Sequence, residues 1–101
     1  MATVYILHSI SLDRFYIGSC VNLDNRLEQH RNKTFKGSFT SKAEDWEIFF
    51  QCSDLHITQA RKIEAHIKRM KSKKYINNLK AFPDMIDKLK LRYPFPTTIK
   101  N

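Results

Sequence analysis

The feature that most constrains the fold is a pair of short apolar runs near the N-terminus, both rich in residues that favour β-strands. They occupy residues 4–7 and 15–18 and are separated by a short polar break. This arrangement predicts an antiparallel hairpin. In the register that places Gly18 opposite Tyr5, Tyr5 and Tyr16 share one face as diagonal neighbours, whereas a slip of one residue would put them on opposite faces.

A helix is predicted next, because Asn22 is a favourable N-terminal cap and the residues after it repeat at helical spacing. Four residues at this spacing share one face: Leu23, Arg26, Leu27 and His30. The leucines turn that face toward the sheet, yet a guanidinium and an imidazole are costly to bury unless they have partners. The face therefore predicts a polar site, with a hydrogen-bonded core histidine as the alternative for His30.

A third strand and two further helices complete the predicted elements. Residues 46–51 carry an alternating pattern with apolar residues on both sides, which predicts a strand partly buried on both faces. Thr58 is a favourable cap for a long helix ending near Ser72, and Pro83 marks the start of a short final helix. The order β-β-α-β-α-α predicts an α+β fold: a small three-stranded antiparallel sheet flanked by helices.

Glu64 is an unusual residue of the long helix. The apolar stripe of this helix consists of Ala60, Ile63, Ile67 and Met70. Glu64 borders that stripe and is the one acid in residues 61–74, which hold seven Lys or Arg residues. A carboxylate that borders the apolar stripe of an otherwise cationic helix predicts a functional role for Glu64. The alternative is a salt bridge to Lys68 at i,i+4 spacing.

The charge of the chain points to a polyanionic partner. Eighteen Lys and Arg against ten Asp and Glu give a formal net charge of +8, which favours nucleic acid through long-range attraction. A basic surface that serves only solubility is the alternative. Residues 32–43 combine lysines with Phe35 and Phe39. Such a loop can contact a nucleic acid backbone and stack on bases, or its aromatics can pin it to the core.

Other classes of protein are disfavoured. No apolar run approaches the roughly 18 residues of a membrane span, and the N-terminus lacks a secretory signal pattern. A cytoplasmic protein without membrane contact is therefore expected. Cys20 and Cys52 are too few for a disulfide scaffold or a zinc set, so buried free thiols are predicted.

Several of these features occur together in one order along the chain. They are Val4-Tyr5-Ile6, Tyr16-Ile17-Gly18, Arg26-x-x-x-His30, a helix with Glu64, and Asn77-Asn78. In this order and spacing the chain resembles the GIY-YIG nuclease family over about residues 3–79. The first motif reads Thr3-Val4-Tyr5 in place of Gly-Ile-Tyr and keeps the tyrosine. Either Asn77 or Asn78 matches the asparagine that follows the long helix in this family, and we take Asn77.

The resemblance implies a DNA endonuclease that hydrolyses phosphodiester bonds with a divalent metal, Mg²⁺, for which Mn²⁺ can substitute. Its site residues would be Tyr5, Tyr16, Arg26, His30, Glu64 and Asn77. Glu64 would hold the metal, because one carboxylate with water and phosphate oxygens suits a hard octahedral ion. Arg26 would present its planar charge to the scissile phosphate, and His30 would share a proton.

Tyr5 would be the general base or the hydroxyl that orients water, with Tyr16 beside it. Because a phenol titrates near 10 in water, Tyr5 would need positive charge nearby to act as a base. Gly18, opposite Tyr5, would leave room for a phosphate. Cations on the surface would contact the DNA backbone without reading sequence. The predicted DNA-binding residues are Gly18, Lys33, Lys36, Lys42, Arg61, Lys68 and Lys71.

The resulting hypothesis has a nuclease domain over residues 1–79 and a C-terminal helical extension over residues 80–101 packed on the same domain. The enzyme would act on DNA structure or backbone in repair, recombination or processing, and a protein partner would supply further specificity. One alternative is a catalytically silent DNA-binding module with the same fold. Another is a basic protein-interaction domain that uses the aromatic tail, Tyr93 to Phe95, as its contact.

Overall fold

The structure, a computed structural model, describes residues 1–31 and 42–95. Its elements in chain order are β1 (Ala2–Ser9), β2 (Arg14–Cys20), α1 (Leu23–Arg31), β3 (Trp46–Leu55), α2 (Ile57–Met70), α3 (Lys73–Ala81) and α4 (Asp84–Arg92). The strands form one antiparallel sheet in the order β2-β1-β3. The predicted α+β class with a three-stranded antiparallel sheet is confirmed.

The hairpin has the predicted register, in which Tyr5 lies opposite Gly18 and Leu7 lies opposite Tyr16. A tight turn joins the strands, where the amide of Asp13 donates to the carbonyl of Ile10 at 3.3 Å. In the strand order β2-β1-β3, β1 is central and almost wholly buried, and β2 forms one edge of the sheet. Tyr16 and Gly18 therefore lie on an edge strand, beside the sheet's centre.

The two faces of the sheet bury different clusters, because strand side chains alternate between faces. On one face Val4 and Ile6 pack with Ile63 and Ile67 of α2. On the other face Tyr5, Leu7, Cys20, Ala43 and Trp46 form a second cluster, against which Leu23 and Leu27 of α1 pack. The side chain of Arg31 fixes the end of α1 by donating from Nε to the carbonyl of Trp46 at 3.0 Å.

The long helix differs from its prediction at both ends. It begins before Thr58, because His56 is the cap: His56 Nδ1 accepts from the Thr58 amide at 3.1 Å, and the Gln59 side chain accepts from the His56 amide. It ends earlier, because Lys71 adopts a left-handed backbone with φ of 48°. Met70 is 43% exposed and does not continue the buried stripe.

The C-terminal part adds a helix that the sequence pattern did not predict. Ser72 caps α3 by accepting from the amide of Tyr75 at 3.1 Å. Ile76 and Leu79 of α3, with Ile86 and Leu89 of α4, join the cluster that holds Val4 and Ile63. Ile86 and Leu89, which lie beyond residue 79, thus share a hydrophobic core with the sheet. Within the described ranges, no helix is long and apolar enough to cross a membrane.

Candidate active site

A polar cluster lies between β1, β2 and α1. The hydroxyl of Tyr5 lies 3.0 Å from Nε2 of His30, and both side chains are buried. The ring of Tyr16 lies 4.9 Å from the His30 ring and 6.3 Å from the Tyr5 ring, measured between centroids. Tyr16 is half-buried. The strand register and the helical spacing therefore bring these three predicted site residues together.

Arg26 completes this group, which we call the tyrosine cluster: Tyr5, Tyr16, Arg26 and His30. It lies one helical turn before His30 and is half-buried. Its guanidinium hydrogen-bonds the Tyr5 hydroxyl, and its charge acts on Tyr5, His30 and Cys20. The face of α1 that placed two polar groups toward the core thus gives both of them partners, as burial requires.

Burial controls the protonation of the cluster. Removal from water raises the pKa of Tyr5, and the neighbouring Tyr16 adds to that rise, whereas the Arg26 guanidinium opposes it. Removal from water also lowers the pKa of His30 to about 4, and the charge of Arg26 contributes to that drop. At neutral pH, Tyr5 is a neutral phenol and His30 a neutral imidazole. We assign the hydrogen bond between them as the Tyr5 hydroxyl donating to Nε2, which leaves the imidazole proton on Nδ1.

A glycine at position 18 is required for a structural reason that the sequence did not reveal. A Cβ atom at position 18 would lie 2.5 Å from Oη and 2.6 Å from Cζ of Tyr5. Such distances are too short for any side chain, so the phenol occupies the volume above the glycine. The room that was expected to admit a phosphate is therefore filled by Tyr5. The absence of a side chain at position 18 is what allows Tyr5 to reach His30.

Glu64 lies beside the same strand on its other face. Ser19 Oγ donates to Glu64 Oε1 at 2.5 Å, and Lys68 Nζ lies 2.7 Å from Oε2. The Glu64 side chain is 19% exposed, so it remains accessible at one side. The i,i+4 salt bridge considered from the sequence is present. Ser19 was not predicted as a site residue, although strand alternation after Gly18 turns it toward α2.

The candidate site is therefore split by the edge strand. Tyr16 and Gly18 face the tyrosine cluster, whereas Ser19 faces Glu64. Within the described ranges, no hydrogen bond or ion pair links Glu64 to the cluster. A substrate that contacts both would have to lie along the outer edge of β2.

The donor set near Glu64 fits a metal held by one protein carboxylate. Among the residues that the structure describes, no group of three or more His, Cys, Asp and Glu side chains gathers into a metal site. Mg²⁺ commonly takes one or two carboxylates and fills its remaining positions with water and phosphate oxygens. A partly exposed Glu64, oriented by Ser19, meets that requirement once Lys68 moves away from Oε2.

The remaining predicted site residues are dispersed. Asn77 is exposed, and its side-chain amide donates to the carbonyl of Lys73 in its own helix at 2.9 Å. The structure does not place it with the tyrosine cluster or with Glu64.

Four of the predicted DNA-contacting cations are exposed: Lys42, Arg61, Lys68 and Lys71. Four other residues named from the sequence lie outside the described ranges: Lys33, Phe35, Lys36 and Phe39. Cys20 and Cys52 are buried free thiols, as predicted.

The fold carries phenols, an arginine and an imidazole on one side of an edge strand and a carboxylate on the other. Such groups can stabilise a phosphate, move a proton and hold a metal ion. The family model described as the GIY-YIG catalytic domain matches residues 1–78 of the 101-residue chain. The chain belongs to the GIY-YIG family, a nuclease family whose members use divalent metals and act on DNA. No curated protein and no solved structure gave a significant match.

Proposed function

We propose that this chain is a DNA endonuclease that hydrolyses phosphodiester bonds with Mg²⁺, for which Mn²⁺ can substitute. One observation carries the proposal: a GIY-YIG domain in which Tyr5, Arg26 and His30 are joined in one cluster beside the strand that also positions Glu64. A nuclease of this kind needs charge stabilisation at the phosphate, a route for a proton and a metal ligand. The described residues supply a candidate for each.

Arg26 and Tyr16 are the proposed phosphate-facing groups of the cluster. Both are half-buried, whereas Tyr5 and His30 are enclosed. The Arg26 guanidinium is permanently charged and planar, so it matches the oxygens of a phosphate and the charge that builds on them in the transition state. The Tyr16 hydroxyl would hold a water molecule or a phosphate oxygen next to it.

Tyr5 and His30 are the proposed proton acceptors. Because burial raises the pKa of Tyr5, the phenolate is disfavoured before substrate binds. Its hydroxyl instead would receive a proton from the attacking water while passing its own proton to Nε2 of His30, 3.0 Å away. Since Tyr5 is fully enclosed, this role requires that DNA binding bring a water molecule to its hydroxyl.

Glu64 is the proposed metal ligand. When bound, the ion would neutralise charge on the phosphoryl oxygens. Ser19 orients the carboxylate through Oε1, and Lys68 forms an ion pair with Oε2. Departure of Lys68 from Oε2 would open the carboxylate and would also release an ammonium group toward the DNA backbone.

The proposed substrate contacts are mostly electrostatic. Lys42, Arg61, Lys68 and Lys71 are exposed, and Lys33 and Lys36 are proposed to act with them. Such contacts are independent of sequence, so we propose recognition of DNA structure or backbone in repair, recombination or processing, in the cytoplasm, with a protein partner adding specificity. For Asn77 and Gly18 we propose indirect roles. The side chain of Asn77 hydrogen-bonds the backbone of its own helix, and Gly18 lies under the Tyr5 ring.

A nicking assay tests the proposal. Branched and plain duplex DNA would be incubated with wild type, with Glu64→Ala and with the exposed-acid control Glu47→Ala, each with Mg²⁺ or with a chelator. Cleavage is expected for wild type and Glu47→Ala with Mg²⁺ only. Cleavage by Glu64→Ala at the wild-type rate would refute the metal assignment.

A catalytically silent DNA-binding module is the second candidate. Two observations favour it: the enclosed Tyr5 hydroxyl and the full engagement of both Glu64 oxygens by Ser19 and Lys68. DNA binding by a wild-type protein that cleaves none of the substrates would support this candidate. The third reading, a protein contact through the aromatic tail, predicts that substitution of Phe95, which is 51% exposed, affects function more than substitution of Glu64.

A further inference from the structure

We propose a second phosphate-binding site for the DNA backbone, in a notch between the start of β2 and the junction of α2 with α3. The proposal rests on the function proposed above and extends the substrate contact beyond the Glu64 site. The notch is a cavity of about 280 Å³. It is lined by Arg14, Phe15, Lys71, Ser72, Lys73 and Ile76.

The chemistry of the lining fits an anion. Three of its side chains are cations, one is a hydroxyl, and no carboxylate lines it. Arg14 and Lys71 are exposed and make no ion pair within the described ranges. This separates them from Lys68, whose charge is already matched by Glu64. A phosphate that enters the notch would therefore meet two cations with no competing protein carboxylate on either.

Lys73 lines the notch and contacts the hairpin turn. Its ammonium donates to the carbonyl oxygen of Asp13 at 3.0 Å and to the Asp13 carboxylate at 3.3 Å. Hydrogen bonds from His8 and Lys73 lower the pKa of Asp13, so this carboxylate stays charged and holds Lys73 at the hairpin turn. The contact links the start of α3 to the β1–β2 hairpin, and these two segments form the two sides of the notch.

The backbone at Lys71 also supports a binding role. Lys71 has φ of 48°, in the left-handed region that glycine or asparagine occupies more readily than lysine. Its amide donates to the carbonyl of Lys68 and closes α2. The turn places Lys71 at the junction of α2 and α3, where its side chain lines the notch.

The notch lies at a useful distance from Glu64. Lys71 follows Glu64 by seven residues, which corresponds to about 10 Å along a helix. Arg14 precedes Ser19, the partner of Glu64, by five residues, or about 17 Å along a strand. For DNA whose axis runs parallel to β2, an axial rise of roughly 3.4 Å for each nucleotide would put the phosphate in the notch about three to five nucleotides from the bond at Glu64.

Salt-dependent binding tests this site. Affinity for duplex DNA would be measured with a chelator across a range of salt for wild type and for Arg14→Gln with Lys71→Asn. Asparagine keeps the left-handed turn accessible. Lys88→Glu on α4 is the control, because it changes net charge by the same amount and Lys88 does not line the notch. Thermal unfolding would verify that both variants are folded.

In the double variant, the slope of log affinity against log salt concentration is expected to be smaller in magnitude by about one to two. The control is expected to keep the wild-type slope. An unchanged slope in the double variant, or an equal change of slope in the control, would refute phosphate binding in the notch.

Neutral methylphosphonate linkages, placed one at a time along a substrate with a mapped cleavage position, locate the phosphate. Wild type is expected to show a second interference position about three to five nucleotides from the cleaved bond, and the double variant is expected to lose it. Cleavage by wild type with interference only at the cleaved bond would refute the notch and leave the nuclease proposal standing. A wild type that neither binds nor cleaves DNA would refute both.

Discussion

Gly18 and Tyr5 depend on each other at the scale of single residues. The phenol lies over the glycine, where a Cβ would come within 2.6 Å of two of its atoms. From that position the hydroxyl reaches His30 and Arg26. The glycine of the second motif therefore serves the tyrosine of the first, and the pair sets the geometry of the proposed proton route.

Gly18→Ala is expected to displace the Tyr5 ring and to break its hydrogen bond to His30. The loss in unfolding free energy should be about 1 to 3 kcal/mol, as for other overpacked cores. Denaturant unfolding measures it. A double-mutant cycle supplies the control, since the same substitution in a Tyr5→Val background should cost much less. An equal cost in both backgrounds would show that the ring is not the obstacle.

The stability of the protein should fall with acidity because of His30. Its pKa is about 4 in the folded chain and near 6.5 when unfolded, so the unfolded state takes up the proton first. The stability that comes from neutral His30 is retained above about pH 6.5 and is lost as the pH falls toward 4. Between pH 7 and pH 5 the unfolding free energy should fall by roughly 2 kcal/mol for this reason. Unfolding of wild type and His30→Gln at both pH values measures it, and identical losses in the two proteins would contradict the assignment.

At the scale of elements, the edge strand β2 and the helix α2 carry the split site. Strand alternation turns Tyr16 and Gly18 toward α1 and turns Ser19 toward α2. Helix α2 places Glu64 beside Ser19, with Lys68 one turn further along. Lys68 and the proposed metal ion would therefore compete for the same carboxylate oxygen.

Lys68→Met should have opposite effects on two ligands. Without its ammonium, Glu64 Oε2 is open, so the affinity for Mg²⁺ or Mn²⁺ in the absence of DNA should rise. The affinity for DNA should fall, because a cation that is proposed to contact the DNA backbone is lost. Titration calorimetry with each ligand measures both, and Lys88→Met is the control. Weaker metal binding in Lys68→Met would contradict the proposed competition.

Much of the site could be predicted from elements whose pattern is local. Helical spacing predicted that Arg26 and His30 share the face toward the core, and strand alternation with one register predicted Tyr5 opposite Gly18. The ring lying over that glycine and the bond from Ser19 to Glu64 could not be predicted, since each depends on packing between separate elements. Helix α3 was missed because its pattern offers only Ile76 and Leu79 as buried residues.

For the whole molecule, the C-terminal extension and the charge act in different ways. Helix α4 lies beyond the family match, yet Ile86 and Leu89 are buried with the core of the sheet. Tyr93 further ties the tail to α2, because its hydroxyl accepts from Arg69 and Arg92 at 3.2 Å each. The net charge of +8, by contrast, predicted a polyanionic partner but none of these contacts.

Leu89→Ala should show that the extension stabilises the domain. Leu89 is 5% exposed, so its truncation should lower the unfolding free energy by about 2 to 4 kcal/mol. Leu91→Ala is the matched control, because Leu91 is 82% exposed and its loss should cost little. Thermal or denaturant unfolding measures both. Similar costs for the two variants would contradict the packing of α4.

The central claim is that Glu64 serves catalysis with a metal, beyond its salt bridge with Lys68. The most direct measurement is the single-turnover cleavage rate of wild type and Glu64→Gln with Mg²⁺, with DNA affinity measured in parallel. The account predicts a loss of at least about 100-fold in rate, or roughly 2.7 kcal/mol of barrier, with DNA affinity retained. A rate within a few-fold of wild type, or a rate loss that follows a matching loss of DNA affinity, would contradict it.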